Sequence, residues 1–259
     1  MTLYNSIGQG YNHSRKPDRR IVRYLIDLLD LPLGSVIADI GAGTGNYSNA
    51  IAEKKYHVIA IEPSSIMSSQ AVAHPHVRWL SAKAEKIPLP DNSVDGAIIV
   101  LALHHFSSRL AAIQEINRLV GDGKIVIFAF EQSKIPSFWL TDYFPYFIRD
   151  TKDSFPPIEI IAAEIRQITQ KNAEIINFSL PKDIKDLFAA AGWNRPELYL
   201  DPNVREGISS FAKMPIEEKE QGIKQLTEDL HNGSWDQKYG ELRTQESYDA
   251  GYRFLVIGN

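Results

Sequence analysis

The chain has 259 residues, 44% of them hydrophobic, with a formal net charge of -4 and no cysteine. This is enough apolar sequence to bury a full core, and we expect a single domain. The lack of cysteine excludes disulfides, thiolate metal sites and thiol nucleophiles. No nucleic-acid partner is expected, because the one dense basic run, residues 15–20, is short and broken by Pro17 and Asp18.

The sequence carries no pattern of a membrane span or of an export signal. No stretch approaches the roughly 18 to 20 apolar residues that a membrane-spanning helix needs. Residues 1–10 lack the basic and then apolar pattern of a secretory signal peptide. We therefore expect a cytoplasmic protein with no membrane span.

Strand and helix patterns alternate along the first half of the chain. Apolar residues between Pro17 and Leu31 recur at steps of three and four, which predicts an amphipathic helix. The run from Val94 to Leu101 is continuously apolar, which is typical of a strand buried on both faces. This alternation predicts an α/β fold, a Rossmann-like doubly wound sheet. Further helices are predicted at 46–55, 64–73 and 109–120, and strands at 36–40, 57–61, 77–81, 94–101 and 124–130.

The alternation breaks after residue 130. Six aromatic side chains lie between Phe138 and Phe147, and an isoleucine-rich helix is predicted from Ile158 to Thr169. These aromatics are interpreted as a lid over a ligand pocket, as a helix packed on the sheet edge, or as both. We interpret 131–180 and 202–248 as insertions over the strand ends, in a core of about 17–130 and 181–259, with a helix at 181–191 and strands at 197–200 and 252–257.

A glycine-rich loop follows the first predicted strand. Gly41, Gly43 and Gly45 occupy alternate positions directly before a helix, and Asp39 lies two residues upstream. Glycines allow a tight turn and let a nucleoside cofactor lie against bare backbone. A dinucleotide fingerprint would place its third glycine one position later, where Asn46 stands, so the spacing argues against NAD.

Polar side chains also follow the second, third and fourth strands. In such a sheet, ligands bind outside the carboxyl ends of the strands. Glu62 lies 17 positions beyond Gly45, where a carboxylate accepts hydrogen bonds from both ribose hydroxyls. Ala84 and Glu85 follow the third strand, and 101–106 follow the fourth. These positions predict one continuous cofactor crevice.

These motifs resemble those of the class I S-adenosylmethionine-dependent methyltransferases. The resemblance rests on Asp39–Gly45, on Glu62–Ser64 with Met67, on Ala84–Pro90 and on Asp95–Phe106, and it runs from about residue 11 to residue 130. Among subgroups the chain is most similar to small-molecule methyltransferases of the ubiquinone and menaquinone biosynthesis type. The resemblance implies a seven-stranded sheet whose last strand is antiparallel, with S-adenosyl-L-methionine as cofactor and a small-molecule acceptor.

The resemblance also implies roles for the residues of the crevice. Gly41, Gly43 and Gly45 lie against the methionine part of the cofactor. Glu62 binds the ribose, and Met67 packs on the adenine.

At the edges of the crevice the implied contacts are with the two ends of the cofactor. Ala84 and Glu85 read the adenine edge, and Leu101 lies near the methionine end. Tyr11 and Arg15 resemble an N-terminal segment that, in relatives, closes over the cofactor and meets its carboxylate.

Two histidines lie where an acceptor would meet the reactive methyl group. His104 or His105 is a candidate base, since an imidazole that titrates near neutrality can take the acceptor's proton. Adjacent side chains point apart, so we expect at most one ring to face the pocket. His74 and His76 have ligand-like types but lie in a predicted surface turn, so no metal site is expected.

The acceptor is expected to be a small molecule. The absence of cysteine excludes cytosine C5 methylation, which needs a thiol. Amino-methylating nucleic-acid enzymes carry an Asn/Asp-Pro-Pro-aromatic motif at the place of residues 103–106, where this chain has Leu-His-His-Phe. Catalysis is expected to rest mainly on proximity. Two alternatives stay open: an NAD-dependent oxidoreductase, and a non-catalytic S-adenosylmethionine-binding protein.

Overall fold

The computed structural model describes residues 11–258, so the segment 1–10 and the side chain of Tyr11 lie outside the described residues. Seven strands of the described chain form a single sheet: β1 (Val36–Ile40), β2 (His57–Ile61), β3 (Val77–Leu80), β4 (Gly96–Val100), β5 (Lys124–Phe130), β6 (Asn172–Pro181) and β7 (Ser247–Gly258). Their order is β3-β2-β1-β4-β5-β7-β6.

The strand directions follow the predicted pattern. Strands β1 to β5 pair in parallel, and in this register Ala38 of β1 lies between Ile59 of β2 and Ala97 of β4. The last strand, β7, is antiparallel to both β5 and β6. The predicted fold class is therefore confirmed, including its antiparallel last strand.

Helices cover both faces of the sheet and its carboxyl edge. The α-helices within residues 11–258 are α1 (Tyr11–Ser14), α2 (Arg19–Leu29), α3 (Asn46–Ala52), α4 (Ser65–Ser68), α5 (Arg109–Val120), α6 (Leu140–Tyr143), α7 (Tyr146–Ser154), α8 (Ile158–Thr169), α9 (Pro202–Glu206), α10 (Ser209–Lys213), α11 (Ile216–Asn232) and α12 (Ser234–Tyr239). None of these helices is long and apolar enough to cross a bilayer.

Helix α2 shows how local sequence produces these elements. The Asp18 carboxylate accepts a hydrogen bond from the backbone N–H of Arg20, which caps the helix start. Ile21, Leu25 and Leu29 fall on one face and are buried against the sheet. The predicted helix over 17–31 is thus present, two residues shorter at each end.

The prediction for residues 181–200 is wrong. The sixth strand is β6, which begins inside the segment interpreted as an insertion, and the strand predicted at 197–200 is part of a 3₁₀ helix, Pro196–Leu200. Residues 182–195 form turns instead of the predicted helix. Two of their N–H groups are bound by the N-terminal segment, Lys185 N–H by the Asp18 carboxylate at 3.0 Å and Leu187 N–H by the Ser14 carbonyl at 3.0 Å.

Candidate active site

The glycine loop leaves β1 in a conformation that only glycine adopts easily. Gly41, Gly43 and Gly45 have φ angles of 74°, 59° and 76°. A Cβ on Gly41 would lie 2.7 Å from the Ala102 Cβ, and one on Gly45 would lie 2.5 Å from the Trp79 ring. Gly41 and Gly45 are therefore required by the packing of the protein itself.

Gly43 differs from its two neighbours. A Cβ at this position would meet a single atom, the Met67 methyl carbon, at 3.4 Å, which is an ordinary van der Waals distance. Its backbone forms part of the wall of a cleft at the carboxyl edge of the sheet. The space above Gly43 is therefore available to a ligand.

Glu62 lies opposite the loop, at the end of β2. Its carboxylate accepts hydrogen bonds from the Gly43 N–H at 3.0 Å and from the Ser64 N–H at 2.8 Å. Burial raises the pKa of Glu62, and these two N–H groups act in the opposite direction. Each oxygen keeps capacity to accept a further hydrogen bond, as the predicted ribose contact requires.

The cleft has a cavity volume of about 350 Å³. Met67 and Ala84 are buried in its wall, and Glu85 lies at its edge with its carboxylate bonded to the Ser108 N–H at 3.0 Å. The structure brings together nine of the predicted site residues here, namely Gly41, Gly43, Glu62, Met67, Ala84, Glu85, Leu101, His104 and His105. Gly45 instead faces Trp79.

Asp39 and Arg15 line a separate recess beneath the glycine loop. The Asp39 carboxylate is buried and accepts a hydrogen bond from the Ser48 hydroxyl at 2.5 Å. Burial raises the pKa of Asp39 to about 7. Arg15 pairs with Asp186 at 2.5 Å, and so the position expected to meet the cofactor carboxylate already holds a balanced ion pair.

Thr44 supplies a polar group in the same recess. Its side chain is buried, and its hydroxyl has no hydrogen-bond partner within the described chain. A buried hydroxyl left unpaired costs free energy, about 1–3 kcal/mol. With the Arg15 guanidinium beside it, this orphan hydroxyl fits the charged amino-acid end of S-adenosylmethionine.

Asn46 has a role that its sequence position alone did not reveal. Its side-chain amide donates to the Arg15 carbonyl at 2.7 Å and to the Asn12 side-chain oxygen at 2.9 Å. The residue in place of a dinucleotide-binding glycine thus holds the N-terminal segment beside the glycine loop. No local pattern signals this contact, because it joins residues more than 30 positions apart.

The two histidines lie in a 3₁₀ helix, Leu103–His105, directly after β4. Both line the cleft, with ring centroids 3.7 Å apart, so the expectation that only one would face it is wrong. It assumed an extended backbone, whereas the 3₁₀ turn brings the adjacent rings together. Burial, together with His105 and the cations Lys213 and Arg15, lowers the pKa of His104 well below its usual range.

Leu101 marks the junction between the cleft and a second cavity. Its φ of 52° is left-handed, a conformation that costs an ordinary residue of order 1–3 kcal/mol. Its N–H is held by the Phe128 carbonyl at 2.9 Å. Leu101 and His104 line both spaces, so they form the boundary between them.

The second cavity, called here the aromatic cavity, has a volume of about 80 Å³. Its polar lining consists of Arg15, Thr151, Ser209 and Ser210 beside His104, and none of the described residues that line it is acidic. Of the aromatic stretch at 138–147 only Phe138 and Phe147 reach it. Its aromatic lining is Phe130, Phe138, Phe147, Phe155, Phe188 and Tyr252.

In the described part of the chain no group of three or more His, Asp or Glu side chains is placed to hold a metal ion. His74 and His76 have rings 5.7 Å apart on the surface before β3.

Comparisons with known proteins agree with this architecture. A family model described as a methyltransferase domain matches residues 38–128. The ubiquinone/menaquinone biosynthesis C-methyltransferase of Rubrivivax gelatinosus is 31% identical over 116 residues, which cover 44% of this chain and 45% of that protein. The chain thus matches about half the length of its curated relatives.

Solved structures extend the likeness to nearly the whole chain. A protein described as a methyltransferase from an antibiotic biosynthesis pathway of Anabaena variabilis is 48% identical, with a TM-score of 0.92 and coverage of 95% of this chain and 99% of that one. Phosphoethanolamine N-methyltransferase 2 of Haemonchus contortus, in complex with S-adenosyl-L-methionine, shares the fold at 15% identity and a TM-score of 0.62, over 98% of this chain and 57% of that one. These relatives decide against the NAD-dependent oxidoreductase, and the chain belongs to the class I S-adenosylmethionine-dependent methyltransferases.

Proposed function

We propose that this chain transfers a methyl group from S-adenosylmethionine to a small, uncharged acceptor with a largely apolar body. The observation that supports this most is the aromatic cavity, which meets the cofactor cleft at Leu101 and His104. Ligand pockets are typically apolar and aromatic with a few placed polar groups. A cationic acceptor is disfavoured, because none of the described residues that line the cavity carries a carboxylate.

In this proposal the residues of the cleft and of the recess at the glycine loop together hold the cofactor. Glu62 accepts hydrogen bonds from the ribose hydroxyls, and Met67 with Ala84 and Glu85 binds the adenine. Arg15 and Thr44 face the methionine end. The bound cofactor supplies an electrophilic methyl group on a sulfonium, so the protein has mainly to position the acceptor, which contributes on the order of 7 kcal/mol in favourable cases.

His104 is the candidate base for an acceptor that must lose a proton. It borders both spaces, and its lowered pKa keeps the ring neutral at neutral pH. The ring is therefore available as a proton acceptor, but it is a weaker base than the imidazole titrating near neutrality that the sequence led us to expect. Its ring packs on Phe155 with centroids 4.3 Å apart, which fixes its orientation. His105 lies on the exposed side of the same turn and is the weaker candidate.

The names of two relatives support a small organic acceptor, whereas a third, the mouse tRNA (carboxymethyluridine(34)-5-O)-methyltransferase ALKBH8, is named for a nucleic-acid acceptor. The Rubrivivax protein is named for ubiquinone and menaquinone biosynthesis, and the Anabaena protein for an antibiotic biosynthesis pathway. Both names refer to organic molecules, for which an apolar cavity is suited. We extend this acceptor class to the present chain.

A labelled-methyl assay tests the proposal. In three separate reactions, the protein and S-[methyl-³H]adenosylmethionine are incubated with a small-molecule extract, with bulk tRNA or with bulk protein. Label is expected only in the small-molecule fraction, and Gly43→Val, which blocks the cleft, should lose it. Label in tRNA would contradict the acceptor class, and cofactor binding without transfer to any fraction would favour the non-catalytic alternative.

A further inference from the structure

Two hydroxyl groups in the wall of the aromatic cavity make no hydrogen bond within residues 11–258. They belong to Thr151 on α7 and to Ser209 at the start of α10. Neither hydroxyl makes a hydrogen bond to any residue of 11–258, although Thr151 is only 4% exposed. The polar groups of buried residues normally find a partner.

The other threonines of the α-helices make a hydroxyl hydrogen bond that Thr151 lacks. Thr141, Thr169 and Thr227 donate their hydroxyls to backbone carbonyls of the preceding turn at 2.9, 2.8 and 2.7 Å. This is the usual local bond for a helical threonine. The Thr151 hydroxyl forgoes that bond and stays available at the cavity wall.

The neighbouring polar groups are already occupied. The Ser210 hydroxyl donates to the Asp150 carboxylate at 2.7 Å, and Lys213 donates to the same carboxylate. Asp150 is therefore satisfied and does not compete for the hydroxyls of Thr151 and Ser209. These two are the hydrogen-bonding groups that the α7 and α10 side of the cavity offers to a ligand.

We propose that Thr151 and Ser209 determine acceptor specificity by binding a neutral hydroxyl or carbonyl group on the acceptor. Thr151 lies one helical turn before Phe155, whose ring packs on His104 at the transfer boundary. In this assignment the group they bind is distinct from the atom that receives the methyl. This inference rests on the proposed function, because it places the acceptor in the aromatic cavity.

A matched pair of probes tests this assignment without the natural acceptor. 4-Fluorophenol carries a hydroxyl group where 4-fluorotoluene carries a methyl group of similar size. ¹⁹F NMR titration gives the dissociation constant of each probe in protein saturated with S-adenosylhomocysteine. Single-ring probes are used because the cavity, at about 80 Å³, is smaller than the roughly 150 Å³ that holds benzene, so its walls must yield even to one ring. The wild type is expected to prefer the phenol about fivefold.

The variant Thr151→Val with Ser209→Ala should bring the ratio close to one while S-adenosylhomocysteine affinity, which reports a folded cleft, stays at the wild-type value. Ser209→Ala alone should give an intermediate ratio. The control is Thr169→Val, at a buried threonine that lines neither space, and it should keep the preference.

The outcomes distinguish a failure of this assignment from a failure of the proposed function. If both probes bind the wild type equally, or if the preference persists in the double variant because His104 binds the phenol, the assignment of the two hydroxyls is overturned. If neither probe binds, the aromatic cavity is not an acceptor site, and the proposed function fails with the inference.

Discussion

A loop can require glycine for its backbone conformation or for the space that a ligand occupies. The substitution Gly43→Ala measures these two requirements independently. Its φ of 59° is left-handed, so alanine costs roughly 1–2 kcal/mol of unfolding free energy. The added Cβ makes only an ordinary contact, 3.4 Å from the Met67 methyl carbon, so no steric term adds to this cost. The same Cβ enters the cleft, where we expect the cofactor to lie against bare backbone.

The matched control is Gly233→Ala. Gly233 has a φ of 80°, no atom lies within 4 Å of the point that an added Cβ would occupy, and the residue follows α11 far from the cleft. Urea unfolding should show a similar loss of about 1–2 kcal/mol for both variants. Calorimetry with S-adenosylhomocysteine should show at least a tenfold loss of affinity, about 1.4 kcal/mol, for Gly43→Ala alone.

Equal affinities in the two variants would refute the placement of the cofactor over Gly43. A graded series supports the test, since Gly43→Val places more atoms in the same space and should nearly abolish binding. If Gly43→Ala lost far more stability than Gly233→Ala, the contact with Met67 would be tighter than described and the affinity loss would report misfolding.

Three further substitutions address the carboxylates and the candidate base. Glu62→Ala should weaken S-adenosylhomocysteine binding roughly 10- to 100-fold in calorimetry, because hydrogen bonds to a charged group contribute about 1.5–3 kcal/mol, whereas exposed Glu53→Ala should not. His104→Gln should lower kcat about 100-fold at unchanged cofactor affinity, and wild-type kcat should stay level from pH 8 to 6.5 because the lowered pKa keeps His104 neutral. An unchanged kcat in His104→Gln would show that His104 is not the base. The Asp39 carboxyl ionises near 3.8 when unfolded and near 7 when folded, so stability should fall as pH rises between these values; Asp39→Asn should remove that fall in urea midpoints at pH 5 and 8.

The first five strands and the cleft could be predicted because their signals are local. A buried parallel strand is a continuous apolar run, and the residues after each strand meet at one edge of the sheet. The glycine spacing and Glu62 therefore sufficed to predict the cleft. The prediction that only one of the His104 and His105 rings faces the pocket was wrong because a 3₁₀ turn replaces the extended chain assumed there.

Residues 181–191 could not be predicted in the same way. Ile184, Leu187 and Phe188 have the spacing of a helical face, and they are at least partly buried. Their backbone is nevertheless held by Ser14 and Asp18, about 170 positions away in sequence. Hydrogen bonds between residues so far apart in sequence leave no signal in the local sequence. Here these tertiary bonds outweigh the helix propensity of the segment.

The unpartnered hydroxyls in the wall of the aromatic cavity could not be predicted from the sequence either. Nothing in the sequence around Thr151 distinguishes it from Thr141 or Thr169, since all three lie in helical segments. Only the hydrogen bonds of the folded chain show that its hydroxyl lacks the usual carbonyl partner. The candidate acceptor groups thus emerge from tertiary packing, whereas the candidate cofactor groups emerge from sequence spacing.

The contact between Trp79 and the glycine loop gives this protein an intrinsic optical reporter. Trp139, Trp193 and Trp235 are buried at 4%, 0% and 0% exposure, whereas Trp79 is half-buried on β3 with its ring beside Gly45. A tryptophan near solvent emits at longer wavelength than buried ones, so the red side of the fluorescence spectrum belongs mainly to Trp79. Ligand arrival at the loop can therefore be followed by stopped-flow fluorescence without any label.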